Sequence, residues 1–497
     1  MATIGIELCN AGFEAAVCEK DEPRLLARGE KDGLSDWPGF AYHNGQKFLF
    51  GRPAEDVWFV HPRQICHDFW DKLSHEPSAL NAEGKAPSFS ELAFYFLRDF
   101  SRQLTAAAGA PDKLVLAVPS FYLKDAATEE QKVGLLLGMA GELGLPLAGV
   151  LDMASAALCD PRGPGINPNL PVVVIDIQLG GADISLHVAE GAQFVRRDFA
   201  HLAPAGYAPL LKHLTAAMGN RFLKHTAFDI LEDGLIEQSF YRQTKDFIMS
   251  GAPEFRYQIN TTRRAYEMTA THDQLGLDAT SIAGMLQQGV QMLVHKMSEH
   301  TEPITVALTP RAASVPGLES RLRAAGFMRL LRLPAGAAAC GAALVGATRW
   351  QVQDLADVPV ETAVPLAEVK RSTGTPWEAH LHKVRTTGAR PLPTHVIING
   401  VGHVLGGNGG FTIGSTSAGP DLTLPESFNT AAECLVQLQR EGGHLWFVEA
   451  GPAPAPNGSA RPTRTVLEAG DRLVIRSGAA STDLLFAHCL PPARPPA

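Results

Sequence analysis

Two aspartates on either side of a glycine turn are the residues whose types and spacing best suit chemistry on an anion. Asp176 follows four β-branched residues that begin at Val172, and Asp183 opens a second apolar run after Gly180 and Gly181. This pattern predicts a buried strand, a tight turn and a return strand. Glycines let backbone N–H groups approach an anion closely, and Asp176 could hold a hydrated metal ion. A ligand-free hairpin of an α/β protein would have the same pattern.

Other predicted strands precede this hairpin and would position it. Residues 3–18 predict a first hairpin, with its turn at 9–12. Residues 114–118 are an apolar run stopped by Pro119, and residues 149–152 predict a short strand that ends on Asp152. Both runs are typical of buried strands in an α/β domain.

Two amphipathic helices are predicted between these strands. Ser88 and Glu91 match a capping box, and residues 129–143 form the second helical segment. The first helix has apolar residues at helical spacing, namely Phe89, Leu92, Phe96, Phe100 and Leu104.

Composition limits the class of protein. The chain has 497 residues, which predicts two or more domains, and 45% hydrophobic with 19% charged residues is typical of a folded soluble protein. A net charge of −9 disfavours a nucleic-acid partner. The seven cysteines are scattered and include no CxxC pair, and the sequence shows no secretory signal. No apolar run is long enough to span a bilayer. These observations predict a cytoplasmic protein without a membrane partner.

The order of these segments resembles one known family, the seventy-kilodalton heat-shock chaperones of the actin and sugar-kinase superfamily. The similar motifs are TIGIELCNAG, LAVPSFY, VLDMASAAL and VVVIDIQLGGADISL, followed by the stretches 306–318 and 333–343. The resemblance covers residues 1–350. It implies a two-lobed actin-like nucleotide-binding domain built from two ribonuclease-H-like cores.

The resemblance also implies an ATP and magnesium site between the lobes. By position in the motifs, Asp152 and Asp176 would be catalytic, and Asp176 would hold Mg²⁺ through water. The residues that would bind the nucleotide are Glu7, Asn10, Gly180, Gly181, Asp183, Lys245 and Arg311.

Several residues depart from the family's pattern. Cys9 replaces a glycine of the first phosphate loop, Pro204 cannot donate a backbone N–H in a later loop, and Glu55 replaces the catalytic lysine. A carboxylate repels a phosphate charge by about 4 kcal/mol at about 4 Å and an effective dielectric constant of about 20. We therefore expect a pseudo-ATPase with weak ATP and magnesium binding at most and no tightly bound metal. The alternative is a nucleotide switch that binds Mg-ATP in the cleft.

The remainder of the chain predicts an all-β domain. Residues 351–393 are rich in proline, threonine and mixed charge, which is typical of a linker with one or two short strands, such as 358–361. Residues 491–497 are a proline-rich tail. Short strand patterns fill residues 394–490. This segment resembles a forkhead-associated domain, most clearly in LEAGDRLVI at 467–475.

The forkhead-associated resemblance also shows departures from its family. Ser415 stands where that family has its phosphate-binding arginine, and its Ser-Arg-x-His stretch is replaced within residues 429–434. We therefore expect weak or absent phosphopeptide binding. A scaffold with protein partners, which residues 394–490 could bind, is favoured over a chaperone that holds clients, since no helical lid is evident.

Overall fold

Two six-stranded sheets form the centre of the chain up to residue 366. They are seen in a computed structural model, which describes residues 2–26, 36–80, 86–166, 170–262, 264–297, 304–327, 329–366, 377–384, 390–405, 410–414, 421–424, 434–449, 464–477 and 480–489.

The first sheet contains the predicted hairpin near the N-terminus and the two buried strands after it. Its strands are β1 (Thr3–Glu7), β2 (Glu14–Glu19), β3 (Glu22–Leu25), β7 (Lys113–Val118), β8 (Leu147–Asp152) and β16 (Val360–Glu361), in the order β16-β8-β7-β1-β2-β3. Strands β1 to β3 form an antiparallel meander, whereas β7 and β8 continue the sheet in parallel with β1.

The second sheet repeats the connectivity of the first five strands, whereas its sixth strand lies beside the meander and not beside the last parallel strand. Its strands are β9 (Val172–Ile177), β10 (Ala182–Glu190), β11 (Gln193–Leu202), β14 (Thr305–Leu308), β15 (Arg329–Arg332) and β17 (Ala363–Pro365), in the order β15-β14-β9-β10-β11-β17. Strands β9 to β11 are again a meander, and β14 and β15 are parallel to β9. The hairpin predicted at 172–186 is confirmed, with Asp176 opposite Asp183.

The helices of the first half confirm the capping prediction. They are α1 (Arg52–Glu55), α2 (Phe89–Ala108), α3 (Ala126–Glu142) and α4 (Met153–Ala157). At the start of α2, the Glu91 backbone N–H donates to Ser88 Oγ over 3.1 Å, and the Ser88 backbone N–H donates to the Glu91 carboxylate over 2.7 Å. The five apolar residues predicted to share one face of α2 are all buried.

The helices of the second half are α5 (Tyr207–Thr226), α6 (Gly234–Ser250), α7 (His272–Asp278), α8 (Thr280–His295), α9 (Pro310–Ala313), α10 (Leu318–Ala324) and α11 (Ala337–Arg349). Small residues let α11 pack closely on the first half. A Cβ atom on Gly341 would lie 1.8 Å from the Ala156 carbonyl oxygen, and one on Gly5 would lie 2.1 Å from that of Ala339. Larger side chains at these glycines would push α11 away from the first sheet.

Each half carries an insertion between its meander and its next parallel strand. The first insertion, residues 36–80, contains α1 and a small sheet of β4 (Ala41–His43), β5 (Phe48–Phe50) and β6 (Ile65–Cys66). The second insertion, residues 227–271, contains α6 and the hairpin of β12 (Glu254–Asn260) and β13 (Ala265–Thr271).

The C-terminal part has two five-stranded sheets around one hydrophobic core. The first has the order β18-β26-β27-β19-β20, and the second has the order β22-β21-β23-β24-β25. Their bounds are β18 (Trp377–His382), β19 (His395–Ile398), β20 (Val401–Val404), β21 (Gly410–Gly414), β22 (Leu422–Thr423), β23 (Cys434–Glu441), β24 (His444–Glu449), β25 (Arg464–Leu467), β26 (Arg472–Ser477) and β27 (Ala480–Ala487).

The segment expected to be a linker is structured where it is described. Strand β16 pairs with β8, β17 pairs with β11, and β18 pairs with β26 over six residues. Strand β16 falls within the short strand expected at 358–361, whereas β17 and β18 were not expected individually. Their apolar residues are few because short edge strands need only one partner strand, and this weakens the pattern in the sequence.

Candidate functional site

Three of the predicted site residues converge where the two halves meet. Glu7 ends β1, Asp176 lies in β9, and Arg311 lies in α9. Arg311 Nη1 donates to Glu7 Oε1 over 3.3 Å, and its Nη2 donates to the Gly12 carbonyl over 2.5 Å. Glu7, Asp176 and Thr309 are among the residues that line a cavity of about 10 Å³, which is room for a single water molecule.

The two carboxyl groups at this cavity titrate abnormally. Burial, followed by the charge of Glu14, raises the pKa of Glu7 to about 8 against the lowering effect of Arg311. Burial also raises the pKa of Asp176 to about 6. Asp176 Oδ2 accepts a hydrogen bond from the Gln178 side chain, and Oδ1 is buried with no hydrogen-bond partner among the described residues. Protonation lowers the cost of burying these groups.

Asn10 joins the two glycine-bearing loops directly. Its side-chain oxygen accepts from the Leu179 backbone N–H, and its backbone N–H donates to Gln178 Oε1 over 3.2 Å. Its Nδ2 donates to Asp71 Oδ1 over 2.6 Å. Burial raises the pKa of Asp71 to about 6, although the Asn10 hydrogen bond opposes that rise. Asn10 therefore holds the first loop against the second.

Gly206 lets the following segment pack closely on the Gly180–Gly181 turn. A Cβ atom on Gly206 would lie 2.3 Å from the Gly180 carbonyl carbon and 2.5 Å from the Gly181 nitrogen. The Tyr207 and Ala208 backbone N–H groups donate to the carbonyls of Gln178 and Leu179, each over 2.9 Å. The segment with Pro204 thus covers the glycine turn.

Asp152 is fully buried and its hydrogen-bonding capacity is used within the protein. Its Oδ2 accepts from Arg196 Nη1 over 2.6 Å and from Ser120 Oγ over 2.7 Å. Its Oδ1 accepts from the Ser155 backbone N–H over 2.9 Å. Arg196 lies on β11, so the pair links the two halves. The resemblance implied a catalytic carboxylate here, whereas this geometry is that of a structural ion pair.

Asp183 also has partners on other elements. Its Oδ1 lies 2.8 Å from His201 Nδ1, and its Oδ2 accepts from the Phe121 backbone N–H over 3.1 Å. Burial lowers the pKa of His201, but the hydrogen bond and the charge of Asp183 outweigh it and the pKa is raised.

The electrostatic role expected of Glu55 is corrected by its surroundings. Glu55 Oε1 accepts from Lys245 Nζ over 2.6 Å, and Oε2 accepts from Arg52 Nη1 over 3.0 Å. Burial raises the pKa of Glu55, but Lys245 and Arg52 outweigh it and the pKa is lowered. The repulsion calculated for an unpaired carboxylate does not apply, because two cations neutralise it. Lys245, expected at the nucleotide, binds Glu55 instead.

Four residues at this site were not anticipated from the sequence: Asp71, Gln178, Arg196 and His201. Gln178 could have been found, because it lies two residues after Asp176 and precedes the glycine turn. The others are polar residues in segments without a motif, and only the meeting of distant strands and loops brings them to the carboxylates.

The predictions for the forkhead-associated-like segment are only partly covered. Ser415, residues 429–433 and the tail at 491–497 lie outside the described residues. The most specific motif is described: Asp471 is buried, and its Oδ1 accepts from Arg390 Nη2 over 2.7 Å. Arg390 also donates to the Glu468 carboxylate. Arg390 precedes β19, so these hydrogen bonds hold residues 468–471 against the segment before that strand.

Comparison with models of known protein families gives no match, and comparison with curated proteins gives no significant match. The resemblance to the chaperones therefore rests on the motifs in the sequence. In the ranges of the chain given above, none of the helices has the length and apolar character needed to cross a membrane.

Proposed function

We propose that the chain is a divergent chaperone-like pseudo-ATPase that acts as a protein-interaction scaffold, with weak or no ATP hydrolysis. In this proposal, residues 1–350 have the two-lobed actin-like fold with duplicated ribonuclease-H-like cores, and residues 394–490 are a forkhead-associated-like sandwich. The repeated strand order of the two six-stranded sheets supports the first assignment. Two five-stranded sheets around one core support the second.

The observation that carries the proposal is the hydrogen bond from the Leu179 backbone N–H to the Asn10 side chain. An anion bound by a glycine loop needs free N–H groups that point toward it. Here one N–H of the loop donates to a side chain of the opposite half, and the cavity that Asp176 lines has room for one water molecule. Residues in this arrangement do not fit a magnesium nucleotide.

The charged groups nearby support the same conclusion. Asp152 is paired with Arg196, and Lys245 is paired with Glu55. An ion pair buried on both sides is costly to break, because each charge would be left without compensation. These residues therefore serve the fold in this proposal, and chemistry on a phosphate would require them to change partners.

An exposed sheet edge supports protein contacts through residues 394–490. Strand β20 is at the edge of its sheet, and Val401 and Val404 on it are 58% and 67% exposed. An edge strand presents unpaired backbone groups to which an extended segment of another protein can add. The proposed partner is therefore a protein.

The alternative function, a nucleotide switch that binds Mg-ATP in the cleft, is favoured by one observation. Asp176 lines the cavity, and its Oδ1 is buried without a hydrogen-bond partner in the part of the chain that the structure describes, so a ligand group could satisfy it. The switch would require the Asn10 hydrogen bonds to open.

Calorimetric titration of the full chain with ATP and magnesium tests both functions. We expect no binding heat up to millimolar nucleotide, and phosphate release no faster than in Asp176→Ala. Micromolar binding that is lost in Asp176→Ala would overturn the pseudo-ATPase proposal and support the switch. Asp198→Ala is the control, because Asp198 is a partly exposed carboxylate that pairs with Lys296 on another element.

A further inference from the structure

The two insertions contact each other through a group of buried and partly buried residues. Glu55 of the first insertion is 3% exposed and accepts from Lys245 Nζ over 2.6 Å and from the Tyr241 hydroxyl over 2.7 Å. Both partners lie on α6 of the second insertion. These bonds join segments almost 190 residues apart, so neither insertion needs them for its own secondary structure.

Backbone groups of the first insertion take part in the same contact. The Phe59 N–H donates to Gln238 Oε1 over 2.9 Å, and Gln238 Nε2 donates to the Glu55 carbonyl over 3.1 Å. Gln238 is 3% exposed. A side-chain amide that donates to and accepts from one opposing segment fixes the register between the two insertions.

Aromatic packing surrounds these polar bonds. The Tyr241 ring centroid lies 5.5 Å from that of Trp58 and 5.2 Å from that of Phe59. The Lys212 ammonium lies 4.5 Å from the Trp58 ring centroid. The rings shield the Glu55 and Lys245 charges from water, which strengthens their attraction.

The contact is continuous with the carboxylate site. Arg311 binds Glu7 and the Gly12 carbonyl, and a Cβ atom on Gly12 would lie 2.9 Å from both Arg311 and Asp36. Asp36 in turn binds Arg52 over 3.0 Å, and Arg52 binds Glu55. Ion pairs therefore link Asp36, Arg52, Glu55 and Lys245, and Gly12 packs between this group and Arg311.

We propose that Glu55, Lys245, Tyr241 and Gln238 form an intramolecular latch that holds the two insertions together without any ligand. In this role the ion pair between Glu55 and Lys245 joins the insertion of one half to the insertion of the other. The inference rests on the contacts between the insertions and goes beyond the proposed function, because a latch can open and close whether or not a nucleotide binds. Loss of the Lys245 charge would leave Glu55 with Arg52 alone and weaken the closed state.

Hydrogen exchange of the full-length protein, followed by mass spectrometry, tests the latch. Lys245→Met keeps the length of the side chain and removes its charge. We expect exchange to become at least tenfold faster both in peptides covering 49–60 and in peptides covering 234–250, with β9 unchanged. Lys245→Arg should restore slow exchange. Lys296→Met is the matched control, because Lys296 pairs with Asp198 on the surface over 2.8 Å.

Two results would overturn the latch. One is unchanged exchange in both regions, and the other is faster exchange confined to 234–250, which would mean that Lys245 stabilises only its own helix. Should Lys245→Met fail to fold, Tyr241→Phe removes one hydrogen bond to Glu55 while it keeps the ring. It should give a smaller increase in both regions, and an increase in neither would also overturn the latch. Nucleotide binding by the wild type would contradict the proposed function and leave these outcomes unaffected.

Discussion

Replacement of Arg196 tests whether Asp152 is a structural or a chemical residue. Arg196 donates to Asp152 over 2.6 Å, to the Ser120 carbonyl over 3.1 Å and to the Leu123 carbonyl over 2.7 Å. Its side chain is 8% exposed and that of Asp152 is 0% exposed. Arg196→Met keeps most of the apolar stem but leaves a buried carboxylate without its cation.

The expected loss can be estimated from these contacts. Removal of one partner of a buried ion pair costs about 3–5 kcal/mol of unfolding free energy. Asp152 retains donors from Ser120 and Ser155, which reduces the loss, whereas two backbone carbonyls lose their donor, which increases it by about 1 kcal/mol or more. We therefore expect Arg196→Met to lower the unfolding free energy by about 4 kcal/mol.

Urea unfolding followed by tryptophan fluorescence measures this loss, and a double-mutant cycle assigns it to the pair. Asp152→Asn removes the charge that Arg196→Met leaves uncompensated. The double variant should therefore be more stable than the sum of the single losses predicts, by about 1–3 kcal/mol. Arg197→Met is the control: Arg197 pairs with Glu190 on the surface, and its loss should cost no more than about 1 kcal/mol.

The reasoning fails if Arg196→Met costs less than about 1 kcal/mol, which is the range of surface pairs. It also fails if the losses from Arg196→Met and Asp152→Asn simply add. Either result would show that Arg196 does not compensate the Asp152 charge, and Asp152 would again be a candidate for catalysis.

Two further predictions concern Glu7 and Asn10. The pKa of Glu7 is about 8 in the folded protein, against an ordinary value of 4.5. Between these two pH values the native state holds one more proton than the unfolded chain. The free energy of unfolding therefore falls as the pH rises. Between about pH 6.5 and 7.5 the wild type should lose roughly 1.4 kcal/mol per pH unit relative to Glu7→Gln in urea unfolding, and equal slopes would contradict the raised pKa. Asn10→Ala should cost about 1–3 kcal/mol, because it leaves the Leu179 N–H and the buried Asp71 carboxylate unsatisfied. Asn10→Asp should cost more in the same assay, since it opposes two carboxylates, and a wild-type midpoint for Asn10→Asp would exclude the contact with Asp71.

Local patterns were sufficient for the elements that carry the site. The strand before Asp176 and the glycine turn after it were predictable because β-branched residues and glycines act through their own backbone preferences. The start of α2 was predictable because Ser88 and Glu91 bind each other's backbone within one turn. Strand β16 falls within the short strand expected at 358–361, but β17 and β18 were missed, since each is short and depends on a partner strand from another part of the chain.

The sequence by itself determined the types and order of the main elements and the presence of buried carboxylates at strand ends. It did not determine which charges meet. Glu55 suggested repulsion of a phosphate, and only the tertiary structure paired it with Lys245, 190 positions away. The effect of a charge depends on distances and on exclusion of water, and both arise when separate halves of the chain pack together.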